Sequence, residues 1–176
     1  EFLNAFVSNK SKFDKGLSAH FAPEAHFTNF TQQENLGKNL FVIHCSNCHD
    51  SRMAGVLVAT ANNGLDLEYT DRGRGAITGN SSDNGVFKVP MLRNIELTAP
   101  YMHDGRFATL EEVVEHYNSG IKAHPNLNFE LRDFQTSQPK RLNLSNSEKQ
   151  ALVAFLKTLT DTEFAGDVRF SNPFDL

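Results

Sequence analysis

The chain has 176 residues, 39% of them hydrophobic and 22% charged, with 15 Phe, no Trp and two Cys. That is the make-up of an ordinary globular chain of one domain with trailing arms. A net charge of −4 supplies no basic surplus for nucleic acid, and no apolar run approaches the ~20 residues needed to span a bilayer.

The first residues, "EFLNAF", carry neither an initiator Met nor a signal peptide, so a processed or cut end is expected. "FLNAFVSNKSKFDKGL" puts Phe2, Phe6, Phe13 and Leu17 at roughly helical spacing, and "SAHFAPEAHFTNF" reads as irregular. In "TQQENLGKNLFVIH", Thr31 and Glu34 form a capping box ahead of an apolar face of Leu36, Leu40 and Ile43. A helix from Thr31 delivers Cys45 at its C-terminal end. The stretch from Asp50 to Lys88 is rich in Gly, Asn, Ser and Asp. It reads as loops with at most short strands, longer than a structureless connection usually runs, so a large rigid ligand is one way to order it. Thr109 caps with Glu112 a helix bearing Leu110, Val113, Val114 and Tyr117 on one face, stopped at Asn118 to Gly120. Ser145 and Glu148 open the clearest helix, with Leu152, Phe155, Leu156 and Leu159 on its face. The tail "DTEFAGDVRFSNPFDL" has no periodicity and reads as an arm.

Both cysteines fall in "CSNCH", Cys45 to His49. A redox dithiol wants a strand–helix–strand setting, which these surroundings lack. A structural zinc site wants four ligands; there is no second C-x-x-C, and the His20/His26 pair precedes the cysteines rather than following them. C-x-x-C-H is the pattern of covalent haem c attachment. Two intervening residues let both sulfurs reach the vinyl groups of one porphyrin, and the adjacent imidazole becomes the proximal ligand. For the distal ligand Met53, Met91, Met102, His103, His116 and Tyr117 all qualify. Spacing favours Met102, while Tyr117 competes from the apolar face of its helix.

"FKVPMLRNIELTAPYMHDGRFATLEEVVEHYNSG" (Phe87 to Gly120), together with "CSNCH" and the tail "DVRFSNPF", closely resembles the C-terminal haem domain of the bacterial dihaem cytochrome c peroxidase family, MauG included. The resemblance covers essentially the whole chain. It implies an all-α, c-type cytochrome fold with long ordered loops around one covalently bound haem c, on Cys45, Cys48 and His49. It places the distal ligand at Tyr117, as in MauG-like members, where peroxidases proper carry Met, and leaves Met102 as core filler. Arg93 is expected to pair with a haem propionate, and His103 to sit near the haem as a hydrogen-bonding neighbour rather than a ligand. A calcium ion between two haems is also implied, with backbone carbonyls of Thr98 and Pro100 among its ligands and the rest on another domain.

The organisation expected is an interdomain linker or helical arm over 1–30, the haem domain over 31–160, and an arm over 161–176 packing on an N-terminal haem domain of the same protein or of a separate subunit. The activity implied is electron transfer within a peroxide-dependent oxidoreductase. Hydrogen peroxide is expected to react at the other haem, a redox partner protein to exchange electrons, and the setting to be the bacterial periplasm, or else secreted or on the outer face of the cytoplasmic membrane. A free-standing monohaem electron carrier without catalysis is the alternative.

Overall fold

The computed structural model describes residues 6–53, 55–172 and 174. Its centre is a pair of helices, α2 (Gln32–His44) and α5 (Asn146–Lys157). Both start where the capping boxes put them. The Thr31 hydroxyl accepts the Glu34 N–H while the Glu34 carboxylate accepts the Thr31 N–H, and Ser145 and Glu148 repeat the exchange. On α5 the expected face, Leu152, Phe155, Leu156 and the following Leu159, is buried.

The face of α2 is turned from the expected one. Leu40 is buried as expected, but Leu36 and Ile43 are 42% and 68% exposed, and Gly37 and Phe41 are buried in their place. The cause is Gly37. A Cβ there would fall inside the Ala151 carbonyl, so only glycine lets α2 approach α5 this closely, and that approach sets which face points inward.

The first helix, α1 (Lys12–His20), begins after Phe6 because Ser11 and Asp14 form a capping box of their own. Phe2, counted in the expected helical spacing, lies outside the described residues. Phe13 is wholly buried, with its ring 5.8 Å from Phe27 and 5.9 Å from Phe155. Phe13, Phe27 and Phe30 belong to the same core as α2 and α5, so the packing itself does not divide at 30/31. Lys10 N–H donates to the Asp161 carboxylate at 3.0 Å and Phe13 N–H to the Thr158 carbonyl at 3.1 Å. Phe6 stacks on Phe170 at 4.7 Å. The tail holds a short helix, α6 (Thr162–Ala165), capped by Asp161, and a turn over Val168–Phe170.

Between these elements the chain is mostly loop, as its Gly and Asn content leads one to expect. β1 (Thr60–Ala61) pairs antiparallel with β2 (Phe87–Lys88), with Thr60 opposite Lys88 and Ala61 opposite Phe87. The one-turn helix α3 (Arg74–Thr78) lies between them in sequence. The fold is mostly helical with long loops. No helix among the described residues is long and apolar enough to cross a membrane.

The next helix, α4 (Leu110–Glu115), is capped by Thr109 and Glu112 and packs on α5. The helical run ends at Gly120, within the expected stop, but not as α-helix throughout. The chain widens into a π-helical turn over His116–Gly120. Glu115 accepts from Lys149 of α5 at 2.7 Å, and that bond, with Ser119 and Asn118 behind it, lowers its carboxyl from 4.5 to about 2. The stabilisation is therefore present above the unfolded value and lost as pH falls through about 2. The pair is substantially exposed, so Glu115→Gln is expected to cost under ~1 kcal/mol at pH 7. In paired denaturant titrations that difference shrinks toward zero near pH 2.

Candidate haem-binding site

A cavity of about 460 Å³ opens between the C-terminal end of α2, the loop after β2, α4 with its π turn, and α5, a volume within the ~300–1,000 Å³ of small-molecule sites. Phe41, Leu92, Ile95, Val113, Leu152 and Leu156 make much of its wall apolar.

Cys45, Cys48 and His49 all line it. Cys45 caps α2, its N–H reaching the Phe41 carbonyl at 2.8 Å, and the chain then turns back so that His49 N–H meets the Cys45 carbonyl at 3.0 Å. This single turn presents two sulfurs and an imidazole to one space. Both thiols are free. Burial, with Cys48 as a lesser cause, pushes the Cys45 thiol up to about 12, and burial raises Cys48 as well. A redox dithiol needs the opposite, a thiolate stabilised at neutral pH. His20 of the zinc alternative lies flat against Phe27, its Nε2 accepting the Thr28 N–H. No group of three or more His, Cys, Asp or Glu side chains placed to hold a metal ion occurs among the described residues.

The His49 ring is oriented from behind. Its Nδ1 lies 3.1 Å from the Pro90 carbonyl. A carbonyl only accepts, so Nδ1 carries the proton and Nε2 keeps its lone pair. Burial lowers the imidazole's pKa, which favours this neutral form. A metal-binding histidine has this arrangement, with one nitrogen free and the other held by the protein.

Tyr117 and Met102 line the same cavity. Tyr117 sits in the π turn and faces the cavity with Leu110, Val113 and Val114, as the helical spacing leads one to expect. Burial pushes its phenol up to about 12, opposed by a hydrogen bond from the Asn63 side chain. A phenolate here would need a nearby positive charge, which a bound metal ion would supply. Met102 is a half-buried wall residue rather than core filler, and its Sδ accepts from Asn63 Nδ2 at 3.4 Å. Met53 is the methionine in the core, and Met91 is 46% exposed. His116 is buried and donates from Nε2 to the Asn63 backbone carbonyl at 3.0 Å.

His103 lines the cavity and stacks on Phe87, with centroids 3.8 Å apart. Thr98 and Pro100 are also wall residues. The expectation for Arg93 is corrected. Its Nη1 and Nη2 fork onto Asp14 at 2.9 Å each, and its Nε donates to the Met53 carbonyl at 2.8 Å. The guanidinium ties α1 to the core and is not part of the cavity wall. Sequence reasoning missed Asn63, which reads only as part of an Asn-Asn-Gly turn, and the Pro90 carbonyl, which no side-chain pattern reveals.

The donor set fits haem c: two sulfurs for the vinyl groups, a neutral imidazole with Nε2 free, a phenol on a different element, and apolar walls for the macrocycle. No protein-family model matches the chain. It is 38% identical over 165 residues to the cytochrome c551 peroxidase of Nitrosomonas europaea, an alignment covering 91% of this chain and 42% of that protein. It is 30% identical over 174 residues to the methylamine utilization protein MauG of Paracoccus denitrificans, covering 77% of this chain and 44% of that one. A solved MauG-like protein associated with microbial copper homeostasis superposes with a TM-score of 0.73 at 34% identity, covering 94% of this chain and 56% of the other. The chain thus spans under half the length of these two curated relatives, in their C-terminal portion. Their kinship supports haem c as the cofactor.

Proposed function

The chain belongs to the bacterial dihaem cytochrome c peroxidase and MauG family, and on that footing we propose that it is the electron-transfer haem c domain of a peroxide-dependent dihaem oxidoreductase. One observation carries the reading. Cys45, Cys48 and a His49 with its Nε2 free share a single apolar cavity with Tyr117, which comes from another element. Bound there, haem c supplies one-electron redox chemistry. Cys45 and Cys48 would hold it through thioethers, and His49 Nε2 and the Tyr117 oxygen would be its iron ligands. With His49 and Tyr117 both engaged in this way, peroxide would find no vacant position on the iron here, and its reduction would fall to the haem of a partner domain.

That partner is an N-terminal haem domain, in the same protein or a separate subunit, and a redox partner protein exchanges electrons with the pair. The haem-binding part is 31–160, and the interdomain segment over 1–30 packs into its core through Phe13, Phe27 and Phe30. Val168 and Phe174, 80% and 90% exposed, support 161–176 as an arm that covers its apolar side chains against the other domain. Backbone carbonyls of Thr98 and Pro100 supply part of a calcium site that the other domain completes. Haem c attachment outside the cytoplasmic membrane makes the setting periplasmic.

Peroxide added to the matured, haem-loaded chain with a reducing dye is expected to turn over negligibly. Turnover at the rate of a peroxidase would place the peroxide site on this haem and overturn the division of labour.

A further inference from the structure

With Arg93 forked onto Asp14, the anionic edge of a bound haem c lacks the partner expected for it. A porphyrin bonded to two cysteines through its vinyl groups carries its two propionates on the opposite edge, away from the thioethers. Carboxylates against an apolar wall need a cation or strong donors within reach. Among the described residues, the lysines and arginines on the cavity wall are Lys88 and Lys140.

The two sit at different distances from the cysteines. Lys140 belongs with them. Its N–H donates to the Leu131 carbonyl at 2.9 Å, and the adjoining Glu130 accepts at 2.7 Å from Asn47, which lies between Cys45 and Cys48. Its ammonium is placed over the Phe134 ring, 5.2 Å from the centroid. Lys88 is separated from the cysteines by another run of chain. The Cys48 carbonyl accepts the Leu57 N–H at 2.9 Å, and the Ala59 carbonyl accepts the Val89 N–H at 3.0 Å. Hydrogen-bonded segments lie ~5 Å apart, so two such steps put β2 on the order of 10 Å from Cys48, comparable with the width of a porphyrin.

The strand also fixes where Lys88 starts from. Lys88 pairs with Thr60 of β1, and two residues on, the Pro90 carbonyl lies 3.1 Å from His49 Nδ1. The backbone of Lys88 is thus set relative to the imidazole expected to bind the iron. Its side chain is exposed and makes no ion pair with a described residue. An ammonium on a flexible stem, carried by a fixed strand at the cavity's edge, is able to close on a carboxylate there.

We propose that Lys88 pairs with a haem propionate and neutralises that edge of the cofactor. The inference rests on the reading of this cavity as a haem c site. A lysine with no role beyond the surface would alter neither the propionates nor the iron when its charge is removed.

The test compares haem-loaded wild type with Lys88→Gln, Lys88→Arg and Lys140→Gln, by resonance Raman spectroscopy of the propionate bending modes and by spectroelectrochemical titration. Lys88→Gln is expected to shift a propionate mode and to lower the midpoint, because an uncompensated carboxylate favours ferric iron. The expected fall corresponds to about tenfold in the ferric-to-ferrous ratio, ~59 mV for a one-electron couple. Lys88→Arg keeps both signatures near those of the wild type, and Lys140→Gln leaves the propionate modes unmoved. Lys88→Ala answers the same question if the glutamine variant fails to mature. Unmoved propionate modes in Lys88→Gln, whether or not the midpoint falls, overturn the pairing while leaving haem c in place, as does a propionate mode that moves in Lys140→Gln instead. Wild-type protein that matures without covalent haem overturns the haem reading itself.

Discussion

Replacing Cys45 and Cys48 together by serine is expected to abolish covalent haem and, with it, the ordered fold. Among the described residues the loops between Asp50 and Lys88 hold little regular structure of their own, two strands of two residues, one α-helical turn and a 3-10 turn over Ser81–Asp83. What they enclose, with α4 and α5, is an apolar-walled cavity of about 460 Å³. At ~24 cal/mol per Å³, leaving such a space without an occupant carries a penalty on the order of 10 kcal/mol, an upper limit because the walls can collapse or admit water. Even a fraction of that is comparable with the ~5–15 kcal/mol that holds a whole domain together. Serine is nearly the size of cysteine, so the loss is of the thioether bonds and not of packing. The double variant is expected to show no haem after denaturing electrophoresis and to melt broadly, well below the wild type, by circular dichroism. Each single variant keeps one thioether and falls between. Haem persisting through denaturation in the double variant would place the attachment elsewhere.

Substituting Tyr117 by phenylalanine is expected to raise the reduction potential sharply while leaving the fold intact. The ring keeps its place among Val113, Val114 and the other cavity residues, and only an oxygen is removed. Bound as phenolate, that oxygen would put a negative charge on the iron and stabilise the ferric state. Haem axial ligands span ~0.8 V between them, so losing a charged one is expected to move the midpoint upward by a few hundred millivolts. Burial, with smaller contributions from neighbouring thiols, pushes this phenol up to about 12, so at neutral pH its anion would need a bound cation to exist. Spectroelectrochemical titration of wild type and Tyr117→Phe side by side reads the shift. An unchanged midpoint would remove Tyr117 from the iron and return the sixth position to Met102.

What was legible in the sequence is what local chemistry writes. Three capping boxes, at Thr31, Thr109 and Ser145, need only a hydroxyl and a carboxylate three residues apart, and all three helices begin there. Cys45, Cys48 and His49 sit within one turn, so their presence on a single surface follows from spacing, and the apolar face of α4 carries Tyr117 toward the same space. Contacts across the chain stayed hidden. Gly37 gives no hydrophobic signal, yet it decides which face of α2 is inside. Arg93 finds Asp14, 79 residues away, because folding brings α1 under the loop after β2, and no pattern around "MLRN" announces it. The π turn is likewise unreadable from composition, since Asn, Ser and Gly after an apolar face signal a stop equally well. Asn63 looked like turn punctuation because asparagine beside glycine usually is.

The most direct test is the intact mass, under denaturing conditions, of the chain matured in a host that attaches haem c. A mass equal to the polypeptide plus one haem is the expected result. A mass equal to the polypeptide alone, from a host that matures other c-type cytochromes in the same cells, would contradict the assignment of Cys45, Cys48 and His49 on which every functional statement above depends.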